Sequence, residues 1–126
     1  MPSDQPEIRP DPPILARNLT VLARTSPGAV RAIAAAPPAG DLRAIRTLSG
    51  AIGFVQGDPP RDRALCSRRD PVAEARRFAD RLDPRDAAAA VVLGFGAGYH
   101  IAQIARRYAG TGGAVVFEPD VPLLRF

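Results

Sequence analysis

The chain has 126 residues, 46% of them hydrophobic, and carries a formal net charge of +4 at pH 7; that length allows one domain with a modest core. All 17 of its basic residues are arginine, which excludes a Walker-type phosphate loop, a Schiff base and a lysine general base. A single cysteine, Cys66, and a single histidine, His100, exclude an internal disulfide and leave a zinc site short of ligands.

No apolar run is long enough to span a bilayer, and the N-terminus lacks the basic and apolar regions of a signal peptide, so a cytoplasmic protein is expected. Residues 1–11 are polar and proline-rich and read as a disordered tail. Asp11-Pro12 then starts a helix, with Asp as cap and Pro at the first helical position. Leu15, Leu19 and Leu22 share one face of it, flanked by Ile14 and Val21. Ser26-Pro27 repeats the start signal for a second helix, which turns Val30 and Ile33 inward and stops at Pro37-Pro38.

From Arg43 to Gln56 the pattern becomes that of a hairpin turning at Ser49-Gly50, with Leu48, Ile52, Phe54 and Val55 around the turn and Gly53 weakening the second strand. Gly57 to Pro60 is a loop by composition. Arg61 to Ser67 is short and basic, with a strand around Ala64 to Cys66. Asp70-Pro71 opens a third helix. Val72, Ala75, Phe78, Ala79 and Leu82 line one face, Arg76, Arg77 and Arg81 occupy much of the rest, and Asp83-Pro84 ends it.

The most informative stretch follows. Ala87 to Leu93 reads as a buried strand, Gly94-Phe95-Gly96-Ala97-Gly98 as a tight turn, Tyr99 to Tyr108 as a helix, and Ala114 to Phe117 as a second strand ending on Glu118. This is the opening order of a nucleotide-binding α/β domain. Glycines permit positive φ and close approach of a ligand to the backbone. The helix N-terminus offers unpaired N–H groups to a phosphate or carboxylate. Glu118, 20 residues after Gly98, is placed to accept hydrogen bonds from ribose hydroxyls. The spacing is G-x-G-x-G rather than G-x-G-x-x-G, which favours methyltransferase-like sites over dinucleotide ones. The same residues also serve as a plain strand-to-helix turn.

The fold class is therefore α/β: a helical and hairpin region over residues 12–66, then the first β-α-β unit of an incomplete Rossmann-like domain over residues 67–126, with a soft boundary between Pro60 and Ser67. A doubly wound sheet needs several more strands, yet the chain ends eight residues after Glu118. It is expected to be the front portion of a larger enzyme, inactive alone and prone to self-association through open sheet edges.

Ser67-Arg68-Arg69-Asp70-Pro71, then Glu74-Ala75, then Gly94-Phe95-Gly96-Ala97-Gly98-Tyr99-His100, then Glu118-Pro119-Asp120, resemble the start of the motility accessory factor family. These are flagellin glycosyltransferase-like proteins that share a domain with archaeal hydroxymethylpterin diphosphokinases. The Gly-Tyr-His ending of the turn is the specific part, and the resemblance covers Ser67 to Phe126. The chain departs from the family pattern at Arg69, where an aromatic is usual, and at Cys66, where a histidine is frequent. The resemblance implies a Rossmann-like domain that uses a nucleotide-activated, cytidine-type sugar as substrate, with flagellin as acceptor. It implies that Gly94, Gly96, Gly98 and Glu118 belong to the nucleotide pocket, with Tyr99 and His100 at its rim.

Two other functions compete: the front of an S-adenosylmethionine-dependent methyltransferase, with the glycines under the methionine part and Glu118 on the ribose, and a non-catalytic interaction module. His100 serves either as a phosphate donor or general acid or as a polar residue at a helix start. Tyr99 is better suited to packing than to stacking on a base. Glu74 suits the helix dipole. Ser67, Arg68 and Arg69 form either a phosphate contact or a solvated loop. Cys66 reads as a small buried residue, since no base adjoins it. Nucleic acid is not an expected partner: aromatics are few and the arginines are scattered.

Overall fold

The computed structural model describes residues 11–125; the tail expected over residues 1–11 lies outside them but for Asp11. The architecture is mixed α/β. Helices α1 (Pro12–Leu22) and α2 (Pro27–Ala35) lead into strands β1 (Leu42–Arg46), β2 (Ile52–Gln56) and β3 (Arg63–Ala64). Helix α3 (Pro71–Ala79), strand β4 (Ala90–Leu93), helix α4 (Tyr99–Tyr108) and strand β5 (Ala114–Phe117) follow, and a 3-10 turn spans Val121–Arg125. The strands form two sheets, an antiparallel β1-β2-β3 and a parallel β4-β5.

Proline at the first turn starts each of the first three helices. It sits where the missing N–H costs nothing. Asp70 caps α3 with its side chain, accepting from the Ala73 N–H at 2.9 Å, whereas Asp11 and Ser26 make no side-chain cap. The expected hairpin is present, with Leu42 opposite Gln56 and Arg46 opposite Ile52. Thr47, buried beneath the turn, donates both its N–H and its hydroxyl to the Ala51 carbonyl. Gly53 leaves the space that Thr47 and Cys66 fill; a Cβ there would lie 3.0 Å from Thr47 Cγ2 and 3.2 Å from Cys66 Sγ.

The core is small. Ile33, Leu42, Val55, Pro71, Ala75, Ala79, Ile104 and Tyr108 are buried in it. α3 and α4 pack together, and Arg107 of α4 donates to the Leu82 and Asp80 carbonyls beyond the end of α3. Four expectations change. The third strand covers Arg63–Ala64 rather than Ala64 to Cys66. Regular α3 stops at Ala79 rather than Leu82, because the Arg81 and Leu82 N–H groups bond three residues back and tighten the last turn. Phe78 lies on the helix but is 44% exposed. β4 begins at Ala90, not Ala87, and is not buried: Val91 and Leu93 face outward. Its length is set by its partner, since β5 supplies only four residues to pair with.

Candidate functional site

β4 and β5 run parallel with Ala90 beside Ala114 and Leu93 beside Phe117, so their C-terminal ends finish level. The chain leaves β4 through Gly94, Gly96 and Gly98, with φ of 92°, 57° and 82°. All three lie in the left-handed region that favours glycine. A Cβ on Gly98 would approach the Phe95 ring to 2.9 Å, and one on Gly96 would stand 3.3 Å from the Leu65 carbonyl oxygen. The turn delivers the chain into α4 with Gly98 as N-cap and no side chain on the helix's first N–H groups.

Glu118 stands at the tip of β5, and its carboxylate holds the turn. Oε2 accepts from the Phe95 N–H at 2.6 Å, and Oε1 accepts from the Asp120 N–H at 2.8 Å. The Gly94 N–H adds a bond to the Phe117 carbonyl at 2.7 Å. Two backbone donors thus fix the carboxylate. A carboxylate has about four acceptor sites, so each oxygen keeps capacity for a further donor.

An open cleft of about 760 Å³ lies at these strand ends. Gly94, Gly96, Glu118, Asp120 and Arg63 provide its polar side, while Leu93, Phe117 and Leu123 are among its apolar walls. Arg63 reaches it from β3 and donates to Gln56 Oε1 at 2.8 Å. Gln56 in turn donates to Asp120 at 3.4 Å. Among the described residues Arg63 has no carboxylate partner, in contrast to Arg43 and Arg68, which both pair with Asp62 at 3.0 Å.

The remaining candidates are placed elsewhere. Tyr99 points to the hairpin, and its hydroxyl donates to the Ile52 carbonyl at 2.6 Å. Burial raises its pKa, and so does the neighbouring Cys66. His100 packs edge-on against Phe78, with ring centroids 5.1 Å apart, beside a smaller hollow of about 310 Å³ between the turn and α3. Gly98 lines neither space. Burial also raises the pKa of Cys66, which keeps it a thiol at neutral pH and a poor nucleophile.

No family model, no curated protein and no solved structure matches this chain.

The segment Ser67 to Glu74 is fully occupied in starting α3. Ser67 Oγ accepts from the Arg69 and Asp70 N–H groups, Asp70 caps Ala73, and Glu74 reaches back to the Ser67 N–H at 2.8 Å. This is the logic of a capping box spread over an extra turn. The cation at the cleft is therefore Arg63, not Arg68 or Arg69. It lies on the two-residue strand β3, and Leu65, the second residue after it, lines the cleft with it. Among the described residues no group of three or more His, Cys, Asp or Glu side chains is placed to hold a metal, and no helix is long and apolar enough to cross a membrane.

Proposed function

We propose that the β4–turn–α4–β5 unit is the nucleotide site of a glycosyltransferase-like protein of the motility accessory factor kind, the front of a Rossmann-like domain. Its ligand is the cytidine-type nucleotide of an activated sugar, and the acceptor of the whole enzyme is flagellin. One observation carries this reading. Three left-handed glycines bring the chain from a parallel strand into a helix whose first N–H groups no side chain caps, beside an acidic residue on the next strand and an open cleft. Unpaired N–H groups at a helix start favour a phosphate. Arg63 adds a guanidinium able to make forked contacts with phosphate oxygens. The free acceptor capacity of Glu118 and Asp120 suits ribose hydroxyls.

Calorimetric titration of the 126-residue chain with cytidine monophosphate and with S-adenosylhomocysteine tests this. The expected outcome is heat with the cytidine nucleotide, weakened at least tenfold by Arg63→Ala. Binding of the adenosyl ligand alone sinks the sugar reading in favour of a methyltransferase. Binding of neither leaves the glycine turn a structural device.

A further inference from the structure

The β4–β5 pair has two unlike faces. α4 packs on one, where Val92 and Val116 are half-buried. The other carries Val91, Leu93, Val115 and Phe117, which are 67%, 83%, 52% and 57% exposed. The register sets Val91 beside Val115 and Leu93 beside Phe117, so the four side chains form one contiguous apolar patch. Parallel sheets are ordinarily covered on both faces, and helices are what cover them.

The same chain carries a helix with unused apolar surface. None of the 11 residues of α1 is buried. Among the described residues it packs chiefly on α2. Leu15, Leu19 and Leu22 are half-buried, but Ile14 and Val21 are 48% and 56% exposed. These two lie seven positions apart and so share a face two turns apart. Arg17 is the helix's one charged residue. The dimensions also agree. A helix of 11 residues is about 16 Å long, and strands of four residues run about 13 Å.

We propose that α1 of a second copy covers the bare β4–β5 face, and that two copies exchange these helices reciprocally. An apolar patch of this kind is on the order of a few hundred Å². One helix-on-sheet contact therefore falls short of the roughly 1,200 Å² of a stable interface. Reciprocal exchange forms the contact twice and closes it about a twofold axis, whereas one-way docking leaves a free face and propagates. The proposal does not rest on the nucleotide reading, since it uses α1 and the sheet face rather than the glycine turn and Glu118, although Leu93 and Phe117 belong both to this face and to the walls of the cleft.

Light scattering on the full chain at micromolar concentration is the first test, with an expected mass of twice 13.3 kDa. Val21→Arg on α1 and Val91→Arg on the sheet should each return the mass to that of one chain. Both positions are exposed, and an unchanged far-UV circular dichroism spectrum shows that the variants remain folded. Pairing is then read without charge substitutions. In a Cys66→Ser background, a chain carrying Val21→Cys is mixed with one carrying Val115→Cys and oxidised in air. A disulfide between the two different chains is the expected product. A monomeric mass for the unaltered chain, concentration-dependent growth beyond the dimer, or a disulfide confined to pairs of Val115→Cys chains would each overturn the proposal.

Discussion

Glu118 does two jobs at once. Its position at the end of β5 aims it at the cleft, and its two carboxylate oxygens hold the Phe95 and Asp120 N–H groups. Hydrogen bonds to a charged acceptor contribute about 1.5–3 kcal/mol each, less where solvent competes. Glu118→Ala is therefore expected to lower unfolding free energy by about 2 kcal/mol, seen as a reduced urea midpoint at unchanged slope. Glu118→Gln keeps one acceptor oxygen and should lose about half as much. An unchanged midpoint for the alanine variant would show that the carboxylate does not hold the turn. The double role also decides how binding should be tested. Lost nucleotide affinity in a Glu118 variant has two explanations, the ligand contact and the shape of the turn. Arg63 is exposed, and among the described residues its side chain bonds to that of Gln56, so its removal is the cleaner probe.

The helix starts show how far local chemistry specifies an element. Ser67, Asp70 and Glu74 satisfy one another's surroundings, and the hairpin turn joins them through the Leu48 and Ser49 N–H groups, which donate to the Arg68 and Arg69 carbonyls. Asp70→Ala removes the one side-chain cap of α3 and should cost about 1 kcal/mol. Asp11→Ala, at a position whose side chain makes no cap bond, should cost nothing measurable. Equal losses in thermal denaturation of the two variants would contradict the assignment. These starts were legible in the sequence because proline and a capping residue act within one turn of chain. So were the two strands and the glycine turn that follows the first, since short apolar runs and positive φ leave a mark on residue type. The far end of α3 was not legible, because it depends on Arg107, which arrives from another helix. The start of β4 was not legible either. Ala87 to Ala89 look apolar in the sequence, but they are exposed and precede the first ladder bond, in which the Ala90 N–H donates to the Gly113 carbonyl. In the cleft, the sequence pointed to Gly94, Gly96 and Glu118. Arg63 and Asp120 join them only through β2–β3 pairing and the Gln56 link.

At the scale of the molecule, stability is unevenly distributed. The buried residues lie on α2, on the hairpin and on α3 and α4, which pack together. Tyr99 to Ile52 and Gln56 to Asp120 tie the hairpin directly to the glycine-turn unit. α1 contributes no buried side chain at all, and β4–β5 is a four-residue pair with one bare face. Local opening costs least where few apolar contacts are lost. Amide hydrogen exchange is thus expected to rank the elements at low protein concentration. α1 exchanges first, β4 and β5 next, and β2 with the α3–α4 pair last. Concentration then acts as a ligand does, stabilising whatever the associated state binds. If α1 of one copy covers the sheet of another, raising the concentration should slow exchange in α1 and in β4–β5 together. Slowing confined to β4–β5 would mean that the bare faces meet each other. Slowing in neither element would mean that the patch stays open to water, and the exchanged dimer would be ruled out by a measurement that needs no altered residue.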